Sequence, residues 1–145
     1  MKIRNDFVTN SSSNSFVIAY KTPPNIDQQT LKKYPYLTKY NNLIEQLLFS
    51  HGRWGENETF VIADPNDIDD AFENFFNWND EESISEILSQ NEWVEEIYDE
   101  CKRKVSEGFQ IILKTIDYRD NALIEFIESL AVNNSDFLLL LNEND

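Results

Sequence analysis

Between Asp64 and Glu107 the chain carries fifteen acidic and three basic side chains, a net charge of minus 12, yet apolar residues recur there every three or four positions. Charges at that density need water, and the interleaved apolar residues need a common interior. A helix with a 3.6-residue period separates the two onto opposite faces. The pattern is strongest after Asp64-Pro65, an N-cap followed by a first-turn proline. There Ile68, Ala71, Phe72, Phe75 and Phe76 fall on one side, and Asp67, Asp69, Asp70 and Glu73 on the rest. Asn77 to Asp80 breaks the pattern. A short helix is predicted around Glu82 to Ser89, with Ile84, Ile87 and Leu88 inward. A longer one is predicted from Asn91 to Ser106, with Trp93, Val94, Ile97, Cys101 and Val105 inward and Gly108 closing its C-terminus.

Elsewhere the period alternates between strand and helix. Strand-like runs at Lys2 to Val8 and Ser15 to Lys21, separated by polar Thr9 to Asn14, predict a β-hairpin. Thr22-Pro23-Pro24-Asn25 stops the second run, and Asp27 is placed to cap a short helix ending near Tyr34-Pro35. Tyr36, Leu37, Tyr40, Leu43, Ile44, Leu47 and Leu48 predict a helix from Tyr36 to Phe49, which His51 to Glu56 ends. Thr59 to Ala63 reads as a strand. The last third reads as strand (Phe109 to Asp117), helix (Asp120 to Val132, capped by Asp120) and strand (Phe137 to Leu141), a βαβ-like unit. Such a unit favours parallel pairing with a right-handed crossover, so a mixed sheet is expected. With 145 residues, 41% of them hydrophobic, and no repeat or linker, the expectation is one α+β domain over residues 1–145. It has a mixed sheet of four to five strands with amphipathic helices over it and an outer acidic layer at 64–107.

Composition excludes several classes of function. The formal net charge of minus 15 repels a phosphate backbone, so direct nucleic-acid binding is disfavoured. A single cysteine (Cys101) and a single histidine (His51) permit no internal disulfide and leave few ligands for zinc. No motif calls for a metal or a cofactor. No stretch approaches the roughly 20 apolar residues of a membrane span, and the opening lacks an apolar signal core, so a cytoplasmic protein is expected. In that setting the three Asn-x-Ser/Thr matches, at Asn10, Asn57 and Asn133, have no glycosylation meaning.

Lys2-Ile3-Arg4, then Asp6-Phe7-Val8-Thr9-Asn10-Ser11-Ser12-Ser13 and Ser15-Phe16, resembles the start of small uncharacterised proteins from low-GC bacteria and their phages. The resemblance covers about fifteen residues. The family pattern has an unbroken serine run, which Asn14 interrupts. It implies kinship of origin and no activity.

Four local features are candidates for function. Glu92, Glu95, Glu96 and Asp99 form an acidic row at helical spacing. The plain reading is a solvated face, with Lys102, Arg103 and Lys104 complementing the helix dipole. The sharper reading, which adds Asp67, Asp70 and Glu73, is a docking surface for a basic protein. Arg53 and Trp54, beside His51 in a Gly-flanked loop, have the composition of a binding hot spot, or of a small enzyme pocket. The serine-rich stretch offers hydroxyls for an anion but lacks a phosphate-loop signature. Asp64, Asp67, Asp69 and Asp70 lack the spacing of a calcium loop and favour a helix start. No spacing assigns a catalytic triad or a carboxylate pair. The leading expectation is therefore a non-enzymatic acidic module, a phage or mobile-element inhibitor of the anti-CRISPR kind. It would block the basic groove of a nucleic-acid-binding protein or nuclease by charge mimicry. The alternatives are an immunity protein against a basic toxin and a small enzyme using His51 and Arg53.

Overall fold

A computed structural model describes residues 13–38, 42–49, 59–76, 82–117, 120–132 and 134–144. The fold is α+β, built on a four-stranded sheet. In chain order its elements are β1 (Ser13–Tyr20), α1 (Gln28–Lys33), α2 (Leu43–Phe49), β2 (Thr59–Ile62), α3 (Ile68–Phe75), α4 (Ile84–Gln90), α5 (Glu92–Ser106), β3 (Gln110–Asp117), α6 (Asn121–Ala131) and β4 (Phe137–Asn144), with 3-10 turns at Pro35–Thr38 and Pro65–Asp67.

The strand order is β2-β3-β1-β4, and every pairing is antiparallel. β3 and β4 do run in the same direction, as their joining helix α6 suggested, but β1 lies between them and pairs with both. The expected mixed sheet with a parallel β3–β4 pair is thereby corrected. β1 is the most fully buried strand, with every residue from Ser15 to Tyr20 buried, as suits the central place where both faces and both edges are covered. With both edges occupied, β1 is not one arm of a two-stranded hairpin; the run from Lys2 to Val8 lies outside the described residues.

Side-chain alternation divides the core into two. Phe16, Ile18 and Tyr20 of β1, with Ile112 and Ile116 of β3, pack against Tyr34, Leu37, Leu43, Leu47 and the buried face of α6 (Leu123, Ile124, Phe126, Ile127). Val17 and Ala19, with Ile111 and Leu113, pack against Ile68, Ala71, Phe72, Phe75, Phe76, Ile87, Val94 and Cys101. The acidic helices are thus one of two helical layers, each directly on the sheet. Four consecutive leucines in β4 would break the alternation, but the register slips at Val17/Ile18, with Val17 opposite Leu141 and Ile18 opposite Leu139. The bulge at Leu140 sends Leu138, Leu140 and Leu141 to the acidic-helix side and Leu139 to the other.

Several element ends are fixed by the residues that mark them in sequence. The Asp27 side chain accepts from Thr30 N at 2.8 Å, and these backbone bonds hold its carboxyl below the usual carboxylate range. Asp64 accepts from Asn66 N at 2.8 Å with Pro65 in the first turn, although that turn is 3-10 before α3 begins at Ile68. Ser83 and Glu86 form a reciprocal capping box on α4. Asp120 occupies the N-cap of α6, but its side chain makes no capping bond. The expected helix over 36–49 is instead a 3-10 turn and then α2, because Asn42 starts a new helix by accepting from Glu45 N at 2.9 Å.

α5 ends in a Schellman arrangement: Phe109 N donates to Lys104 O at 3.0 Å and Gly108 N to Val105 O at 3.1 Å, with Gly108 at φ +96°. A Cβ on Gly108 would meet nothing within 4 Å, so the cost of replacing it is backbone strain alone. Gly108→Ala is expected to lower unfolding free energy by about 1 kcal/mol in urea titration. An unchanged midpoint would show that the left-handed residue does not matter.

Candidate functional site: the acidic helical face

The acidic face is shaped by what the three helices bury. Phe72 meets Tyr98 edge-on at 5.3 Å between ring centroids and lies tilted against Phe76 at 5.1 Å, and Phe76 meets Trp93 at 5.9 Å. This aromatic seam joins α3 to α5 and turns their remaining positions outward. Asp67, Asp69 and Asp70 on one side, and Glu92, Glu95, Glu96 and Asp99 on the other, are all exposed.

The two sets of carboxylates meet at Tyr98. Its hydroxyl donates to Asp69 Oδ1 at 2.5 Å, and Lys102 Nζ lies 5.2 Å from its ring centroid. Desolvation, then the hydrogen bond to Asp69, then the charges of Asp69 and Asp99, push the Tyr98 phenol up to about 12. A phenol held protonated by folding contributes stability that is complete below its unfolded value near 10 and is lost as pH rises towards 12. Wild-type thermal stability is therefore expected to fall faster than that of Tyr98→Phe between about pH 10 and 12. Parallel curves would remove Tyr98 from the link between α3 and α5.

The basic residues of α5 are engaged at its C-terminal end. Arg103 pairs with Glu100, and Lys104 lies 4.0 Å from Glu100 and 3.3 Å from Glu107. Among the described residues, Glu92, Glu95, Glu96 and Asp99 form no ion pair. Asp67 and Asp70 share the exposed surface of the α3 segment. Glu73 instead holds two helices together, since its Oε2 accepts from Ile84 N at 2.8 Å and ties the end of α3 to the start of α4. Arg53 and Trp54, with His51, lie outside the described residues. Tyr98 was absent from the inward residues read from sequence, although it lies four positions after Val94 and three before Cys101 on the same stripe.

The polar end of the sheet is built from cross-strand pairs. Ser13 and Asn14, expected in a loop from the sequence, belong to β1; the serines before them lie outside the described residues. Ser15 Oγ and Thr115 Oγ1 are 3.0 Å apart, and Asn14 Nδ2 donates to Asn142 Oδ1 at 3.0 Å. Lys114 is fully buried and donates from Nζ to Thr59 Oγ1 at 2.7 Å. Asp64 serves as a helix cap, as expected, and no group of three or more His, Cys, Asp or Glu placed to hold a metal occurs among the described residues. Burial pushes the Cys101 thiol up to about 12, which leaves it as core. No described helix is long and apolar enough to cross a membrane.

No family model, curated protein or solved structure matches the chain.

Proposed function

We propose that the protein is a non-enzymatic acidic interaction module whose α3–α5 face docks into the basic groove of a nucleic-acid-binding protein or nuclease, as a phage or mobile-element inhibitor of the anti-CRISPR kind would. One observation carries this reading: an exposed row of four carboxylates that form no ion pair with any described residue, which Tyr98 and Asp69 link to the acids of α3. Seven helical steps separate Glu92 from Asp99, roughly 10 Å of axis, so the row presents about one charge per 3 Å. That is close to the roughly 3.4 Å per charge of a single DNA strand. Like charges so spaced repel by a few tenths of a kcal/mol per pair, a cost a cationic partner would offset. An immunity protein that captures a basic toxin would use the same face. The setting proposed is the cytoplasm of a bacterial or infected cell.

An enzymatic reading places function on His51 and Arg53, and the two readings separate cleanly. Partner retention by tagged His51→Ala, together with its loss on reversing Glu92, Glu95, Glu96 and Asp99 to Lys, supports the interaction reading. The opposite pattern removes it.

A further inference from the structure

A cavity of about 440 Å³ lies on the opposite helical layer, between the 3-10 turn Pro35–Thr38, α2 and the start of α6. Its apolar walls include Leu37 and Leu123, both almost fully buried, and Tyr34, which is 8% exposed. One polar acceptor there lacks a partner: among the described residues, Gln46 Oε1 is buried without a hydrogen bond. A buried acceptor left unmet costs on the order of 1–3 kcal/mol, so a group that supplies a donor there gains what the fold forgoes. At the other end, α6 presents its first-turn amides, and the Asp120 side chain makes no capping bond to them.

Charge selects the ligand class. Lys33 contributes one positive charge, Asp120 and Glu125 contribute two negative ones, and the α6 N-terminus adds about half a positive charge. Lys33 Nζ is already held 5.4 Å from the Tyr34 ring centroid, and Glu125 Oε2 already accepts from Asn121 at 2.8 Å. These charges sum to only about minus one half, and Lys33 and Glu125 are already engaged, so an ionic ligand would lose its hydration without gaining a matched counter-charge. An uncharged ligand with an apolar ring avoids that penalty, and the volume lies within the range of small-molecule sites.

We infer that this cavity is a binding site for a small uncharged molecule carrying a primary carboxamide or a ring N–H beside a carbonyl. The N–H donates to Gln46 Oε1, and the carbonyl accepts from α6. This site lies away from the acidic face and does not rest on the function proposed for it.

Four isosteric probes test the inference by amide chemical-shift titration of the full chain: benzamide, acetophenone, benzoate and benzamidinium. Benzamide is expected to give saturable shifts confined to residues around Tyr34, Leu37, Gln46 and Leu123, about 10-fold tighter than each of the others. Gln46→Leu is expected to bring benzamide to within about 2-fold of acetophenone. Ala122→Trp, which fills the cavity mouth from a half-buried position, is expected to abolish the shifts, while resonances of β1 and α5 report that the fold is intact. Absence of localised saturation, equal affinity for benzamide and acetophenone, tighter binding of either ion, or binding that survives Ala122→Trp would overturn it.

Discussion

Phe72→Ala is expected to remove about 3–5 kcal/mol of unfolding free energy, the usual cost of deleting a fully buried phenyl ring. Phe72 belongs to the core between the sheet and α3–α5, and it is the ring shared by Phe76 and Tyr98. Its loss opens a cavity where α3 and α5 meet, and it also removes the edge-to-face contact with Tyr98, worth about 0.5–1.5 kcal/mol. For a chain of this length the melting temperature should fall by roughly 10 °C. A matched truncation on the outer side, Glu96→Ala, should change stability by less than about 0.5 kcal/mol. If both variants melt alike, the seam does not hold the acidic layer to the sheet. Cys101 gives a second reading of the same event, because its buried thiol should react with alkylating reagents only when this layer opens.

The second large effect concerns binding. Reversing Glu92, Glu95, Glu96 and Asp99 to Lys changes the formal net charge from minus 15 to minus 7 and replaces the exposed row with its opposite. Affinity for a basic partner should fall by more than about 100-fold at low salt, much of it through slower association. The wild-type affinity should weaken steeply with ionic strength, whereas the variant's should not. Lysines at positions 92 and 95 also oppose the α5 dipole, at about 0.3–1 kcal/mol each. A companion variant with Gln at 92, 95 and 96 and Asn at 99 keeps side-chain shape while removing charge. Intermediate loss of binding in that variant, at unchanged melting temperature, assigns the effect to charge. Equal affinity in all three proteins would reduce the row to a solvated face.

Helix ends and inward faces were legible because they depend on residues close in sequence. Asp27, Asp64-Pro65 and Gly108 act where their chemistry places them, and Ile68, Ala71, Phe72, Phe75 and Phe76 are buried as their spacing requires. Strand order was not legible. β1 inserts between β3 and β4 through pairings about 100 residues apart in sequence, such as Ser15 with Thr115, and no local pattern encodes that choice. The strand ends shifted for the same reason. Asn142 to Asn144 look like a polar tail but extend β4 because Asn14 to Phe16 lie opposite them. The break in the expected helix over 36–49 had a cue in Asn42, a cap-forming residue inside an apolar run. At the acidic face, exposure of the α5 row followed from periodicity. The tie through Tyr98 and Asp69 and the structural role of Glu73 required α3, α4 and α5 to be placed in space.

The proposed docking is tested most directly by parallel affinity capture from a low-GC Gram-positive lysate, using wild-type protein and the four-Lys variant, with elution by duplex DNA. The expected result is one near-stoichiometric nucleic-acid-binding protein that the wild type retains, that DNA releases, and that the variant fails to hold. Capture of the same proteins by both baits, or a partner that neither DNA nor salt displaces, would contradict charge mimicry by the acidic face.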